Sequence, residues 1–323
     1  MNPARPNTRS LACGANLKSL GDIRGELCSV IPIPITPFDP HGRIDEPAYQ
    51  RVLERLTAVP LLVLTTNGNT SEFYALSENE RRCILEITTR CIGARACIVN
   101  GIGFDVDTAI MMGKFSESSG AQAVMVHQPI HPYQSAQGWV AYHRAIADAL
   151  PKMGIVLYVR DPAVTAHMLV ELVEKCPNVL GVKYAVPNPV QFASMVRQVG
   201  PDRVAWICGL AETWAPFFWL GGARGFTSGL ANIHAPLSFQ MLECLRANEF
   251  GAAMQIGARI KPLEDLRARD NGTHNVSVVK EALTQMSLCE RTVRPPLCEL
   301  SENDRERVRE ILKDWQLLPA HPV

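Results

Sequence analysis

Asn178-Val179-Leu180-Gly181-Val182-Lys183-Tyr184 is an apolar run that carries a single lysine near its C-terminal end. Apolar residues that are continuous rather than alternating mark a strand buried on both faces, as in a parallel sheet covered by helices. The C-terminal end of such a strand is where an α/β barrel opens into its active site. A lysine there is partly desolvated, which disfavours the ammonium, lowers the pKa and leaves free amine near neutral pH. A free amine attacks a ketone and forms a Schiff base. Position alone is better served by a strand-end lysine whose ammonium reaches water, and the rest of the chain is what turns the reading toward chemistry.

Outward from this run the same strand–helix cycle repeats. Upstream, Leu61 to Thr65, Ala96 to Asn100, Ala123 to His127 and Gly154 to Tyr158 read as strands, each followed by a stretch of helical periodicity. Downstream, Val204 to Cys208 and Gly225 to Thr227 continue the series, with helices from Glu212 to Leu220 and Pro236 to Ala247. The first strand falls within Cys28 to Ile35, where prolines suit a strand start better than a central ladder. Asp45 is placed to cap the helix that follows, and Ser77 with Glu80 forms a capping box. Eight strand–helix units before about residue 248 predict a (β/α)8 TIM barrel over 28–248. A loosely ordered N-terminal arm (1–27) precedes it, and a C-terminal helical region (249–323) follows. An open doubly wound sheet would need fewer units and a Gly-rich phosphate turn, which is missing.

The 323 residues carry no formal net charge, 47% are hydrophobic and 20% are charged. That balance gives no footprint for nucleic acid. No apolar run approaches the ~20 residues of a membrane span. The ten cysteines are scattered without a CxxC pair, which reads as reduced, mostly buried cysteine in a cytoplasmic protein and gives no zinc spacing. The polar segment from Met1 to Gly25 lacks the apolar centre of a secretory signal.

In a barrel the strand ends converge, so distant residues become neighbours. They are Thr36, the Gly68-Asn69-Thr70 loop, Tyr158, Lys183, Gly209 with Glu212, and Thr227-Ser228-Gly229. Lys183 is the candidate nucleophile, and the phenol of Tyr158 a proton relay. Asn69 and Thr70 offer donors in a small-residue turn that suits a carboxylate. The set fits a 2-oxo acid, with a ketone for the amine and a carboxylate for the turn. The iminium then stabilises a carbanion at the next carbon, which permits C–C cleavage or loss of a β-hydroxyl. Each member also has an ordinary explanation. Tyr158 serves as an amphipathic core residue, the Gly-Asn-Thr-Ser loop as a plain turn, Glu72 and Glu212 as helix-start carboxylates, and His127 as a packed histidine.

Taken together, the residues resemble the dihydrodipicolinate synthase and N-acetylneuraminate lyase superfamily of Schiff-base aldolases and dehydratases. The similarity runs from about Val30 to Leu312. It is carried by Ile35-Thr36-Pro37-Phe38, Gly68-Asn69-Thr70-Ser71-Glu72, Leu157-Tyr158, Gly181-Val182-Lys183, Gly221 to Asn232, Val279-Lys280-Glu281-Ala282 and Arg294-Pro295-Pro296-Leu297. The resemblance implies that Lys183 forms the imine, Tyr158 relays protons and Thr70 with its loop holds the carboxylate. Gly68, Thr36, Gly209 and Ser228 are expected to line the substrate site because they stand at the converging strand ends. The resemblance also implies a homo-oligomer, a tetramer, and a reaction that needs no metal or organic cofactor.

The departures bear on substrate. Asn69 stands in place of the first threonine of the family's Gly-Thr-Thr-Gly-Glu loop, and Ser71 in place of its second glycine. Val159-Arg160-Asp161-Pro162 follows Tyr158 instead of the Asn-x-Pro-Ser-Arg-Thr-Gly of true dihydrodipicolinate synthases. Pro129-Ile130-His131-Pro132-Tyr133 replaces their Pro-Tyr-Tyr. The Gly-Asn-Thr-x-Glu-Phe form is similar to branches acting on sugar acids, among them the 5-dehydro-4-deoxyglucarate dehydratases. Arg160 would then meet a distal carboxylate or hydroxyls, or else is a surface arginine. The reading is a Schiff-base lyase acting on a 2-oxo-3-deoxy sugar acid. The alternatives are a 4-hydroxy-tetrahydrodipicolinate synthase and a barrel that binds small molecules without catalysis.

Overall fold

The computed structural model describes residues 18–319. A short helix, α1 (Leu20–Glu26), leads into eight strands: β1 (Val30–Pro32), β2 (Val63–Thr66), β3 (Cys97–Ile102), β4 (Ala123–Val126), β5 (Gly154–Val159), β6 (Val179–Tyr184), β7 (Ala205–Cys208) and β8 (Gly225–Ser228). Between and after them run α2 (Glu46–Leu56), α3 (Glu78–Ile92), α4 (Val106–Ser118), α5 (Ala136–Ala149), α6 (Ala166–Lys175), α7 (Pro189–Val199), α8 (Ala215–Leu220) and α9 (Ala231–Arg246). Beyond the barrel lie α10 (Phe250–Gly272), α11 (Asn275–Gln285) and α12 (Glu302–Asp314). The strands are parallel, in the order β1-β8-β7-β6-β5-β4-β3-β2. This is the TIM barrel with a C-terminal helical extension that the repeat predicts.

Every residue of β5 and β6 is buried, because helices cover one face and the lumen fills the other. Alternate side chains therefore serve two packed layers. Leu157, Val182, Tyr184 and Trp206 pack outward under the helices. Val63, Val99, Met125, Val156 and Ile207 fill the lumen. β1 and β2 lie side by side without a ladder between them. Pro32 and Pro34 have no N–H to donate there. Several helix starts are fixed by side-chain caps of the expected kind. Asp45 accepts from the Ala48 N–H at 2.9 Å, and Ser77 and Glu80 form a reciprocal capping box. Each such cap contributes about 1 kcal/mol.

Three features depart from the sequence expectation. Within the expected N-terminal arm, Ser19 caps α1 with its own capping box. Ile23 and Leu27 of this segment are buried against the lumen. A Cβ on Gly181 would lie 3.2 Å from Leu27 Cδ1, so this segment closes the barrel floor. The arm's residues 1–17 lie outside the described residues. The seventh-unit helix expected from Glu212 starts instead at Ala215, because Ala211 takes a left-handed φ of 63° and turns Glu212 inward. Of the described cysteines, all free, Cys97, Cys176 and Cys208 are buried, most others are half-buried, and Cys298 is exposed. Among the described residues no helix is long and apolar enough to cross a membrane.

Candidate active site

The register of β5 against β6 sets Tyr158 directly beside Lys183. Lys183 is 3% exposed, and its Nζ lies 4.1 Å from the centroid of the Tyr158 ring. Burial is the main force on this amine. It takes the pKa from the usual lysine range to about 7, with the positive charge of Arg160 pushing the same way. Amine and ammonium are therefore present in comparable amounts near neutral pH. Space around the lysine depends on Gly209. A Cβ there would lie 3.1 Å from Lys183 Cγ and 2.8 Å from Ala185 Cβ.

The phenol of Tyr158 accepts a hydrogen bond from Asn69 Nδ2 at 3.1 Å. Burial raises its pKa, while the Arg160 charge and the Asn69 bond pull it back. With one lone pair engaged by the amide, the phenolic hydrogen is free to point elsewhere. Asn69 Oδ1 is buried without a partner and stands as an open acceptor beside the phenol. His127 lies edge-on to Tyr158 at 5.8 Å and stacks on Phe73 at 4.0 Å. Its Nε2 is 3.0 Å from the Asn67 carbonyl, which only accepts, so Nε2 carries the hydrogen. Burial lowers its pKa to about 3, and the ring is a neutral packing element, as expected.

The Gly68–Ser71 loop is held between two left-handed residues, Asn67 (φ 54°) and Glu72 (φ 61°). The Asn67 side chain donates to Arg81 O at 2.9 Å and to Asn100 Oδ1 at 2.8 Å. Ser71, at the family's glycine position, stitches the loop to the segment that follows β1. Its hydroxyl donates to Pro34 O at 2.6 Å and accepts from the Gly68 N–H at 3.2 Å. Thr36 adds a bond from its hydroxyl to Ser71 O at 2.8 Å. The N–H groups of Asn69 and Thr70 meet no acceptor among the described residues. Consecutive free N–H donors in a tight turn make an anion-binding concavity.

The predicted residues thus divide by what they do. Lys183, Tyr158, Asn69 and Gly209 converge, and Thr70 carries the free loop donors. Thr36 and Gly68 support the loop rather than facing a ligand. Arg160 is exposed and pairs with no carboxylate among the described residues, yet its charge is felt at Lys183, Tyr158 and Tyr74. Ser228 belongs elsewhere. Its hydroxyl bonds Glu212 Oε1 at 2.5 Å and accepts from the Ala231 N–H at 2.8 Å, which leaves it no hydrogen for a substrate. Glu212 is no helix-start carboxylate. It is wholly buried, and burial, with the Glu264 charge acting the same way, raises its pKa. Glu72 is likewise buried, in an ion pair with Lys280. The sequence reading missed the roles of Asn67, Ser71 and Lys280. A charged Lys280-Glu281 pair inside the apolar run Val276 to Leu283 was the available signal for the last.

The profile of the Dihydrodipicolinate synthetase family matches residues 26–315. Over 295 residues the chain is 25% identical to the probable 5-dehydro-4-deoxyglucarate dehydratase of Bacillus subtilis (strain 168), covering 90% of this chain and 95% of the relative. It is 27% identical over 290 residues to the 4-hydroxy-tetrahydrodipicolinate synthase of Thermodesulfovibrio yellowstonii, covering 88% and 97%. Among solved structures, the dihydrodipicolinate synthase from Oceanobacillus iheyensis superposes with a TM-score of 0.89 at 38% identity, covering 92% of this chain and 99% of that one. The dihydrodipicolinate synthase from Bacillus clausii gives 0.88 at 42% identity, covering 91% and 100%.

Proposed function

The chain belongs to the Dihydrodipicolinate synthetase family, and we propose that it is a lyase that holds a 2-oxo acid as a Schiff base on Lys183, its substrate being a 2-oxo-3-deoxy sugar acid. The observation that carries this reading is a buried lysine amine in register with Tyr158 beside a loop with free N–H donors. The neutral amine attacks the ketone carbon, the Tyr158 phenol supplies the proton with which hydroxide leaves as water, and an iminium remains. A bond at the adjacent carbon then gives its electron pair to the iminium and forms an enamine: either the C–C bond, as the β-hydroxyl becomes a carbonyl, or the C–H bond, after which the enamine expels the β-hydroxyl. In both the Tyr158 phenolate takes the released proton, and in the second it returns it to the departing hydroxyl as water. Thr70 and Asn69 receive the substrate carboxylate, and the exposed Arg160 receives a distal carboxylate or hydroxyl. Assembly as a homotetramer belongs to the same proposal.

Intact mass after incubation with pyruvate and borohydride tests the reading. An adduct on the native chain and none on Lys183→Ala is the expected result. No adduct on either favours the barrel that only binds. The synthase reading draws on the names of the two solved structures. Against it stand Val159-Arg160-Asp161-Pro162 after Tyr158 and the lost Pro-Tyr-Tyr. Turnover of 5-dehydro-4-deoxyglucarate set against condensation of pyruvate with aspartate semialdehyde separates the two.

A further inference from the structure

The loop that offers the Asn69 and Thr70 N–H groups ends on Glu72, and Glu72 is held from outside the barrel. Its carboxylate is fully buried. Lys280 on α11 brings Nζ to 2.5 Å from Oε1 and donates to Thr292 O at 2.7 Å. The Arg294 backbone N–H donates to Glu72 Oε2 at 3.0 Å. Both cations also lie over the Phe38 ring, at 4.1 Å and 4.2 Å from its centroid. The Arg294 guanidinium reaches Glu80 at the start of α3, Gly42 O and Ala75 O. The two segments that shape the loop, Thr36–Phe38 and 68–72, are therefore fastened to one post built by the C-terminal helical region.

We propose that Lys280 is a positioning residue of the candidate carboxylate site. Its charge holds Glu72 in the left-handed conformation that ends the loop, and this fixes the Asn69 and Thr70 donors. The inference rests on the reading of Lys183 as the Schiff-base lysine. A glutamate at φ 61° takes a conformation that L side chains rarely adopt, and it persists only where surroundings enforce it. A buried carboxylate without its cation does not stay buried. Loss of Lys280 drives Glu72 toward water and moves the loop with it. The pair also cancels a negative charge two residues from Thr70, which would otherwise repel an anionic substrate.

The test is the concentration dependence of borohydride trapping at Lys183 with two ketones. Pyruvate carries a carboxylate and hydroxyacetone does not. The chains compared are the native one, Lys280→Met, and Glu72→Gln/Lys280→Met, the last removing the unpaired buried charge so that folding does not decide the result. Half-saturating pyruvate is expected to rise about tenfold in both variants, the worth of a charge-assisted hydrogen bond, with hydroxyacetone changed less than about twofold. Equal loss for both ketones, or unchanged pyruvate dependence, overturns the positioning role. Absence of any adduct on the native chain is a separate outcome, which removes the Lys183 reading and the inference with it.

Discussion

Two buried lysines in this chain share a residue type, a depth and an aromatic neighbour, and behave as opposites. Lys183 is 3% exposed and Lys280 0%. Each Nζ lies 4.1 Å from an aromatic centroid, Tyr158 for one and Phe38 for the other. Burial lowers the pKa of both. Lys280 has Glu72 at 2.5 Å, which opposes that shift and favours the ammonium. Lys183 has no carboxylate in ion-pair reach among the described residues, and the cation felt there, Arg160, drives it further down to about 7. Burial therefore does not by itself make a nucleophile. A buried amine stays available to attack only where no carboxylate pairs with it, and beside a carboxylate it becomes a brace.

Replacing each lysine by methionine breaks this comparison most directly. Lys183→Met abolishes the pyruvate adduct. It removes a desolvated amine that no carboxylate compensates, so the melting temperature is expected to stay level or rise. Lys280→Met strips the buried Glu72 carboxylate of its cation, at a cost of about 3–5 kcal/mol in denaturant unfolding. Glu72→Gln/Lys280→Met recovers most of that loss, because the pair itself repays desolvation only in part. Equal destabilisation by the two methionines would mean that the pairing difference has no energetic content.

The next effect concerns the aromatic partner. Tyr158→Phe keeps the ring under Lys183 and removes only the hydroxyl bonded to Asn69. Turnover is expected to fall by about 10²–10⁴, the worth of a positioned acid/base group, with half-saturating pyruvate little changed. Phe38 offers the contrast, because its ring carries no proton. An unchanged rate in Tyr158→Phe would reduce Tyr158 to the same status, a platform for a cation.

The barrel was legible because its evidence is periodic and local. Continuous apolar strands, caps at Asp45 and Ser77, and the eightfold repeat each act over a few residues. The closeness of Lys183 to Tyr158 was legible because a barrel turns strand-end position into proximity. Lys280 was not, since its partner lies 208 positions away (280 − 72) and no local pattern announces an ion pair between a loop and an outlying helix. Ser228 misled for a related reason. It sits at a strand end, yet its hydroxyl serves Glu212, whose inward turn depends on the left-handed Ala211. Helix α1 was hidden by the polar residues around it, with Leu20, Ile23 and the following Leu27 carrying its packing.

The smallest effect sharpens the comparison through Arg160. Imine formation requires the neutral amine, so its rate rises with pH and levels above about 7, where Lys183 has lost its proton. Arg160 favours that loss by placing a positive charge nearby. Removing the charge raises the Lys183 pKa, and the rising limb of the profile moves to higher pH. In Arg160→Ala the trapping rate near pH 6.5 should fall by about two- to fivefold, a screened surface-charge effect, and converge on the native rate above the new midpoint. Because Arg160 is exposed, added salt should move the native profile the same way and leave the variant's almost unmoved. On the proposed reading pyruvate engages the loop rather than Arg160, so its half-saturation should hold steady at high pH. A profile that ignores both the substitution and the salt would assign the low pKa of Lys183 to burial alone.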